Sequence, residues 1–217
     1  MSSRHIAFLF IAFLSLVILV FFFIGSQPVK IPKRTASQNT TTLSEPTVTF
    51  VNPTKGAKDA QITIVEFADF QCGACKDLQV TLDAVLKAYP DDVRIVWKDL
   101  PNDSIHKEAI PAAIAAHCAD RQGKFWEYHD MLFNRQTILS TGQYDQIAQD
   151  LKLDMDRFAA CTQAKDTLPI VQRDEEEGIA LKIVATPVLY IGKQTIVGAA
   201  SFLELQQIID ELLKPAL

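Results

Sequence analysis

Hydrophobic and polar positions divide the chain into three stretches. Residues 6–24 form an apolar run interrupted only by Ser15, long enough as a helix to span roughly the 30 Å hydrocarbon core of a bilayer. Pro, Ser, Thr, Gln and Asn then dominate residues 27–51 without a sustained apolar period, which is typical of a disordered linker. Strand and helix periods fill the remainder. The pattern predicts an N-terminal transmembrane anchor at residues 1–26, followed by the linker and one folded domain at residues 52–217.

The apolar run also resembles a signal peptide, but it is longer than the roughly 7–15 residues of a cleaved hydrophobic region. The following Gly25-Ser26-Gln27 does not match an A-x-A-like cleavage site. We therefore expect an uncleaved signal-anchor, with cleavage near Ser26 as the alternative. Basic residues lie on both sides of the run, so the positive-inside rule leaves its orientation open.

The folded domain begins with a strand–helix–strand pattern. Residues 62–67 form an apolar, β-branched run with one charged position, Glu66, as expected of a strand covered on both faces. Residues 93–97 read as a second buried strand. A single helical stripe lies between the two strands and consists of Leu78, Leu82, Val85, Leu86 and Tyr89. Together these elements predict a βαβ unit.

Cys72 and Cys75 form a C-x-x-C pair where the first strand gives way to this helix. Unpaired N–H groups and the helix macrodipole stabilise a thiolate at the first cysteine, while the second lies one turn inside the helix and can resolve a mixed disulfide. A structural zinc site needs about four ligands, and the chain has no second C-x-x-C. The spacing favours thiol–disulfide exchange over half a zinc site or a static disulfide. We expect no metal and no cofactor beyond the Cys72–Cys75 disulfide.

A long helical interval separates this unit from the last strands. More residues lie between Asp99 and Thr186 than an ordinary βαβ crossover needs. Four amphipathic stripes occupy most of them, which predicts a helical insertion at approximately residues 103–166.

A hairpin and a last helix follow this interval. Pro187 starts an apolar run, and Gly192-Lys193 forms its turn. The base rate of X-Pro bonds favours a trans peptide before Pro187. A capping box at Ser201 predicts the start of the last helix.

Taken together, these motifs resemble the DsbA-type branch of the thioredoxin superfamily, close to its membrane-anchored bacterial members. The resemblance covers about residues 60–213 and is carried by VEFADFQCGAC at 65–75, GKFWEYH at 123–129 and ATP at 185–187. It implies an α/β, thioredoxin-like fold with an inserted helical cap, preceded here by the N-terminal transmembrane helix.

The resemblance also implies roles for individual residues. Cys72 corresponds to the exposed nucleophile and Cys75 to its buried partner, and Pro187 corresponds to a cis-proline that faces their disulfide. Glu66 falls where the family has a buried carboxylate. This carboxylate could pass a proton to or from Cys75, or a neighbouring Lys could satisfy it instead. Backbone groups of Thr186 could pair with an extended substrate peptide.

The remaining titratable residues have simpler interpretations. Cys118 and Cys161 each stand alone on a predicted helix of the insertion, and an even cysteine count outside the cytoplasm favours a structural disulfide between them, with two buried free thiols as the alternative. The acidic run at residues 174–177 is interpreted as a solvated helix face. Helix-face or cap positions, not metal ligation, are expected for His106, His117 and His129.

These observations predict a protein thiol–disulfide oxidoreductase. By resemblance it is an oxidase that donates the Cys72–Cys75 disulfide to cysteine-containing proteins and is reoxidised by a quinone-linked membrane partner. A reductase or isomerase is the alternative, and a copper-binding metallochaperone is an alternative from another class. The chemistry suits an oxidising compartment, so we expect an extracytoplasmic domain held to the membrane by the N-terminal helix. The net charge is −5, and four of the basic but only one of the acidic side chains precede residue 51; this acidity argues against nucleic acid as a partner.

Overall fold

The computed structural model describes residues 43–214, which contain one five-stranded sheet in the order β1-β3-β2-β4-β5. Strands β2 and β3 are parallel, and every other neighbouring pair is antiparallel. The strands are β1 (Thr54–Gly56), β2 (Ile62–Ala68), β3 (Val93–Asp99), β4 (Val188–Ile191) and β5 (Gln194–Val197).

Seven α-helices lie in this same range. They are α1 (Gly73–Ala88), α2 (Ala109–Asp120), α3 (Phe125–Asn134), α4 (Thr141–Asp150), α5 (Met155–Ala164), α6 (Leu168–Ala180) and α7 (Phe202–Leu212), and a short 3₁₀ helix occupies Gln136–Ile138. The predicted βαβ unit is β2–α1–β3. The predicted start of α7 at Ser201 is observed, because the Ser201 hydroxyl caps the helix by accepting a hydrogen bond from the Glu204 N–H at 3.3 Å.

The predicted membrane anchor lies outside the described residues, as does most of the predicted linker. Within residues 43–214, no helix combines the length and hydropathy needed to cross a bilayer. The described end of the linker, residues 43–51, has neither helix nor strand. It contacts α6, because the Thr47 N–H donates to the Glu177 carboxylate and Arg173 donates to the Thr49 hydroxyl.

Alternation along β2 sends its side chains to two apolar layers. Ile62 and Ile64 face α1 and α7, whereas Val65 and Phe67 pack with Val96 and Val188 on the opposite face. Glu66 has the same parity as Ile64 and lies between Trp97 of β3 and Leu189 of β4. The charged residue therefore points into the layer that contains the first turns of α1.

The insertion consists of α2 to α5 and packs as a cap over the C-terminal ends of β2 and β3. Helix α2 is alanine-rich and buried from Ala112 to Ala119, and its small side chains allow neighbouring helices to approach closely. The cap meets the sheet through aromatic contacts, with His129 of α3 edge-on to Trp97 of β3 at a centroid distance of 4.9 Å. The predicted thioredoxin-like α/β architecture with a helical insertion is confirmed.

A disulfide joins two helices of the cap. Cys118 on α2 and Cys161 on α5 are bonded, with their Cα atoms 5.9 Å apart and both residues buried. The Thr167 hydroxyl, which lies 3.8 Å from the Cys118 sulfur, donates to the Ile114 carbonyl. The bond links segments that are 43 residues apart in sequence.

The interpretation of residues 174–177 as a solvated helix face is wrong for two of the four side chains. Asp174 is fully buried and accepts a hydrogen bond from the Lys98 ammonium at 3.0 Å. Glu177 accepts a second one from the same ammonium at 2.6 Å. Lys98 leaves β3 on the face opposite Trp97, where α6 covers the sheet. The acidic residues thus compensate a buried cation instead of facing water.

Candidate active site

The C-x-x-C pair occupies the turn from β2 into α1. Cys72 is the N-cap of α1 with extended backbone, and its sulfur accepts a hydrogen bond from the Cys75 N–H at 3.2 Å. Gly73 and Ala74 between the two cysteines are exposed, whereas Cys75 is fully buried. Cys72 is only 8% exposed, so the exposed position that the resemblance implies for it is not observed. Cysteine thus takes the place of the Ser, Thr or Asp that usually caps a helix, so the cap group is a nucleophile.

Thr186 and Pro187 lie beside the first cysteine. The Cys72 thiol donates to the Thr186 carbonyl at 3.4 Å, although 114 positions separate the two residues. The Thr186–Pro187 peptide bond is cis, in agreement with the resemblance and against the base rate. Pro187 is buried and directly precedes β4. The structure thus brings together four residues that the sequence singled out at distant positions.

The two thiols have opposite acid strengths. A hydrogen bond from the Cys75 thiol to the Cys72 sulfur, aided by the Cys75 N–H, lowers the pKa of Cys72 to about 6 against the opposing effects of burial and of the Asp69 charge. Burial, together with the neighbouring Cys72, raises the pKa of Cys75 well above its ordinary value. At neutral pH Cys72 is therefore largely thiolate, and Cys75 remains a thiol.

Glu66 lies behind the pair, fully buried. Burial raises the pKa of its carboxyl to about 8, and a hydrogen bond from the Gln79 side chain partly opposes this shift. The Gln79 amide nitrogen donates to Oε1 at 2.8 Å, and Oε2 has no hydrogen-bond partner among the described residues. A glutamine, not the lysine considered from the sequence, satisfies this carboxyl. Glu66 is thus largely protonated at neutral pH.

Asp69 and Gln136 shape the turn and were not identified from the sequence. Asp69 is buried, and its Oδ1 accepts a hydrogen bond from the Gln71 N–H at 2.7 Å. Its Oδ2 accepts one from the Asn102 N–H at 2.8 Å and lies 2.8 Å from His106 Nδ1. The Gln136 amide donates to the carbonyls of Phe70 and Cys72, each at 2.9 Å. Asp69 could have been recognised as a polar residue directly after a buried strand. Gln136 could not have been recognised, because it lies 64 positions after Cys72 in the sequence.

The two remaining histidines of the cap are buried structural residues. His129 is surrounded by aromatic rings, including those of Phe70 and Trp97, and burial lowers its pKa, so that it is neutral. His117 pairs with Asp99 at 2.6 Å. His129 packs against Phe70, which lies two residues before Cys72. It therefore supports the active-site turn from the side of the cap.

The lowered pKa of Cys72 predicts a pH-dependent stability of the reduced protein. A group whose pKa falls on folding stabilises the native state above its unfolded pKa, and this contribution disappears as the pH falls through the native value. The reduced chain should therefore gain unfolding free energy over a Cys72→Ser variant between about pH 6 and pH 9. Urea unfolding of both proteins across this range measures the difference, and thiolate absorbance gives the midpoint. A constant difference across the range would contradict the assignment.

The family model described as thioredoxin matches residues 50–211. The chain is similar to the Na⁺/H⁺ antiporter NhaA 3 of Salinispora tropica, with 33% identity over 137 residues that make up 63% of this chain and 21% of that protein. The chain spans about a fifth of the length of the curated relatives it matches.

Two solved structures share the architecture. The thiol-disulfide exchange protein α-DsbA2 from Wolbachia pipientis has a TM-score of 0.68 and 21% identity, with 75% of this chain and 88% of that chain covered. The catalytic domain of Proteus mirabilis ScsC has a TM-score of 0.66 and 26% identity, with 75% and 89% covered. The family match extends over most of the chain and agrees with the fold and with the C-x-x-C turn. The chain therefore belongs to the thioredoxin family, and its structural neighbours include DsbA-type thiol-disulfide exchange proteins.

Proposed function

We propose that the chain is a protein thiol–disulfide oxidoreductase that acts through Cys72 and Cys75. The observation that carries the proposal is the asymmetry of the pair. One sulfur caps a helix, lies beside the Thr186 carbonyl and has a pKa of about 6, while the other is buried with a raised pKa. Exchange chemistry requires this division into an attacking sulfur and a resolving one.

The proposed reaction moves two electrons from a substrate dithiol to the pair. A substrate thiolate attacks the Cys72 sulfur of the Cys72–Cys75 disulfide, the disulfide breaks, and Cys75 leaves. Glu66, protonated at neutral pH, supplies the proton that Cys75 takes up. A second substrate thiolate then attacks the substrate sulfur of the mixed disulfide, and Cys72 leaves as its stable thiolate. The substrate ends with a disulfide and the enzyme ends reduced.

The acidity of Cys72 supports oxidation as the physiological direction. A thiolate that hydrogen bonds stabilise lowers the free energy of the reduced pair, and a more stable reduced form makes the disulfide a stronger oxidant. The same two sulfurs would reduce or isomerise substrate disulfides if a partner kept the pair reduced. The direction therefore depends on the potential of the pair and on the partner that resets it.

The setting that we propose is extracytoplasmic, with residues 1–26 as a membrane anchor and residues 27–51 as a tether. The Cys118–Cys161 bond supports this location, because structural disulfides persist in oxidising compartments. Cysteine-containing proteins would be the substrates, docking along the backbone at Thr186, and a quinone-linked membrane protein would reoxidise the pair. The exposed Val184 and Ala185, just before Thr186, leave this backbone accessible to an extended peptide.

The reduction potential of the Cys72–Cys75 couple tests the proposal. We expect equilibration with a glutathione buffer and a potential nearer to the roughly −120 mV of strong oxidants than to the roughly −270 mV of thioredoxin. The same preparation should oxidise a reduced dithiol peptide in a one-to-one reaction, and a Cys72→Ser variant should not. A reduction potential near roughly −270 mV would favour the reductase direction. Failure of the pair to exchange with glutathione at any ratio would refute the oxidoreductase function itself.

A further inference from the structure

Gln79 forms a bridge between the redox helix and the buried carboxyl. It lies on α1, one turn after Cys75, and its amide nitrogen donates to Glu66 Oε1 at 2.8 Å and to the Cys75 carbonyl at 3.2 Å. An amide nitrogen carries two hydrogens, so both bonds form at once. The second bond fixes the side chain against its own helix, and the first therefore holds Glu66 in a defined place relative to Cys75.

This bridge distinguishes the two oxygens of the carboxyl. Oε1 accepts the Gln79 N–H, while Oε2 is buried and has no partner among the described residues. A protonated carboxyl has one O–H, and the oxygen that already accepts a strong donor is the poorer place for it. Oε2 is thus the oxygen that carries the exchangeable proton. The titratable groups that act on Glu66 are the thiols of α1, and the strands on either side place Trp97 and Leu189 beside it.

Gln79 also connects Glu66 to the surface. Its side chain lines a cavity of about 260 Å³ between α1 and α3. The charged residues around this cavity are Lys76, Asp83 and Asp130. Glu66 itself does not line the cavity. Gln79 therefore contacts both the buried carboxyl and this cavity.

We propose that Gln79 is a positioning residue for the exchange reaction, which holds Glu66 so that Oε2 serves the Cys75 sulfur and which favours the charged carboxylate after the proton has left. This inference rests on the proposed function. When the disulfide opens, the Oε2 proton moves to the departing Cys75 sulfur, directly or through a water molecule. The carboxylate is then held by the Gln79 N–H until it regains a proton from the cavity side. Gln79 itself neither gains nor loses a proton.

Two substitutions of Gln79 should act in opposite directions on the step that uses Cys75. In Gln79→Met the length is kept and the donor is lost, so the carboxylate loses its stabilisation. In Gln79→Lys the donor is kept and a positive charge is added. The probe is a mixed disulfide of Cys72 with glutathione, from which attack by Cys75 releases glutathione. Its release rate, measured by stopped flow from pH 5 to 10, should rise as Glu66 becomes a base.

We expect the inflection of this profile to move up by about one pH unit in Gln79→Met, with release at neutral pH slower by roughly tenfold, and to move down in Gln79→Lys. Lys87→Met, an exposed change on the same helix, should leave the profile in place, and Glu66→Gln should remove the inflection. If both Gln79 variants slow release at every pH without moving the inflection, the role is merely structural and the inference is overturned. An inflection that survives in Glu66→Gln overturns it together with the proton role of Glu66. A chain that never forms the mixed disulfide refutes the proposed function as well.

Discussion

Replacement of Cys75 by alanine is expected to leave the chain joined to its partner through Cys72. The Cys72 sulfur is the less buried of the two and is largely deprotonated at neutral pH, so it can attack a disulfide without help from its neighbour. Release of the partner requires a second thiol that attacks the Cys72 sulfur of the mixed disulfide. In the native chain this second thiol is held one helical turn away, beneath the Cys72 side chain.

The expected size of the effect follows from this proximity. Well-oriented intramolecular groups have effective molarities of about 10⁵ M or more, whereas thiols in solution are present at millimolar levels. The ratio of these concentrations is about 10⁸ for ideal orientation, and even a small part of it should make the mixed disulfide of Cys75→Ala live at least about 10³ times longer than that of the native chain. Oxidation of dithiol substrates should be lost altogether, because no disulfide remains to donate.

Non-reducing electrophoresis and mass spectrometry after incubation with a disulfide-containing peptide measure the trapped species. Cys72→Ala is the matched control and should form no adduct, since Cys75 is buried and its pKa is raised. Cys118 and Cys161 are bonded to each other and should not contribute. An adduct on Cys75 in the control, or rapid release from Cys75→Ala, would reverse the roles of the two sulfurs.

The parts of this site that could be predicted from the sequence depend on local order along the chain. A buried strand followed by C-x-x-C and an amphipathic stripe places Cys72 at a helix start, because the turn between them has only a few residues. The hairpin after Pro187 was likewise visible as two short apolar runs with a Gly-Lys turn. The cap was predicted from apolar stripes in its sequence, although α2 is in fact buried on all sides from Ala112 to Ala119. The arrangement of the cap helices over Phe70 and Trp97 was not predicted.

The parts that could not be predicted depend on which side chains meet across elements. Gln79 has the ordinary appearance of a polar residue on a helix, and its bond to Glu66 arises only because the parity of β2 turns that carboxyl towards α1. On β3, Lys98 follows Trp97, the partner of Glu66, so alternation along the strand places Lys98 on the opposite face of the sheet. An acidic run is solvated on most helices, and nothing in residues 174–177 indicates that a buried lysine will lie beneath it.

Replacement of Lys98 by methionine is expected to destabilise the domain strongly. The Lys98 ammonium is buried and donates to Asp174 and Glu177, and Asp174 also contacts Asn52 and Arg173. Removing the cation leaves the fully buried Asp174 and the partly buried Glu177 without their shared partner. Breaking a buried pair in this way typically costs about 3–5 kcal/mol. Urea unfolding at pH 7 measures the loss, and Lys87→Met, an exposed lysine on α1, should change stability by about 0.5 kcal/mol or less.

The pH dependence separates this electrostatic cause from a packing defect. Burial and the nearby Asp99 raise the pKa of Asp174, and Lys98 opposes this shift, so the variant should have an Asp174 pKa that is higher still. A carboxyl whose pKa is raised by folding favours the native state below its unfolded pKa and disfavours it as the pH rises through the native value. The deficit of Lys98→Met relative to the native chain should therefore be small near pH 4 and grow towards pH 7. Adding Asp174→Asn to the variant should recover part of the loss at pH 7, because it removes a buried charge that has lost its Lys98 partner and keeps only Arg173 as a cationic partner. A deficit that is equal at both pH values and unchanged in the double variant would instead indicate that Lys98 contributes through the packing of its aliphatic stem.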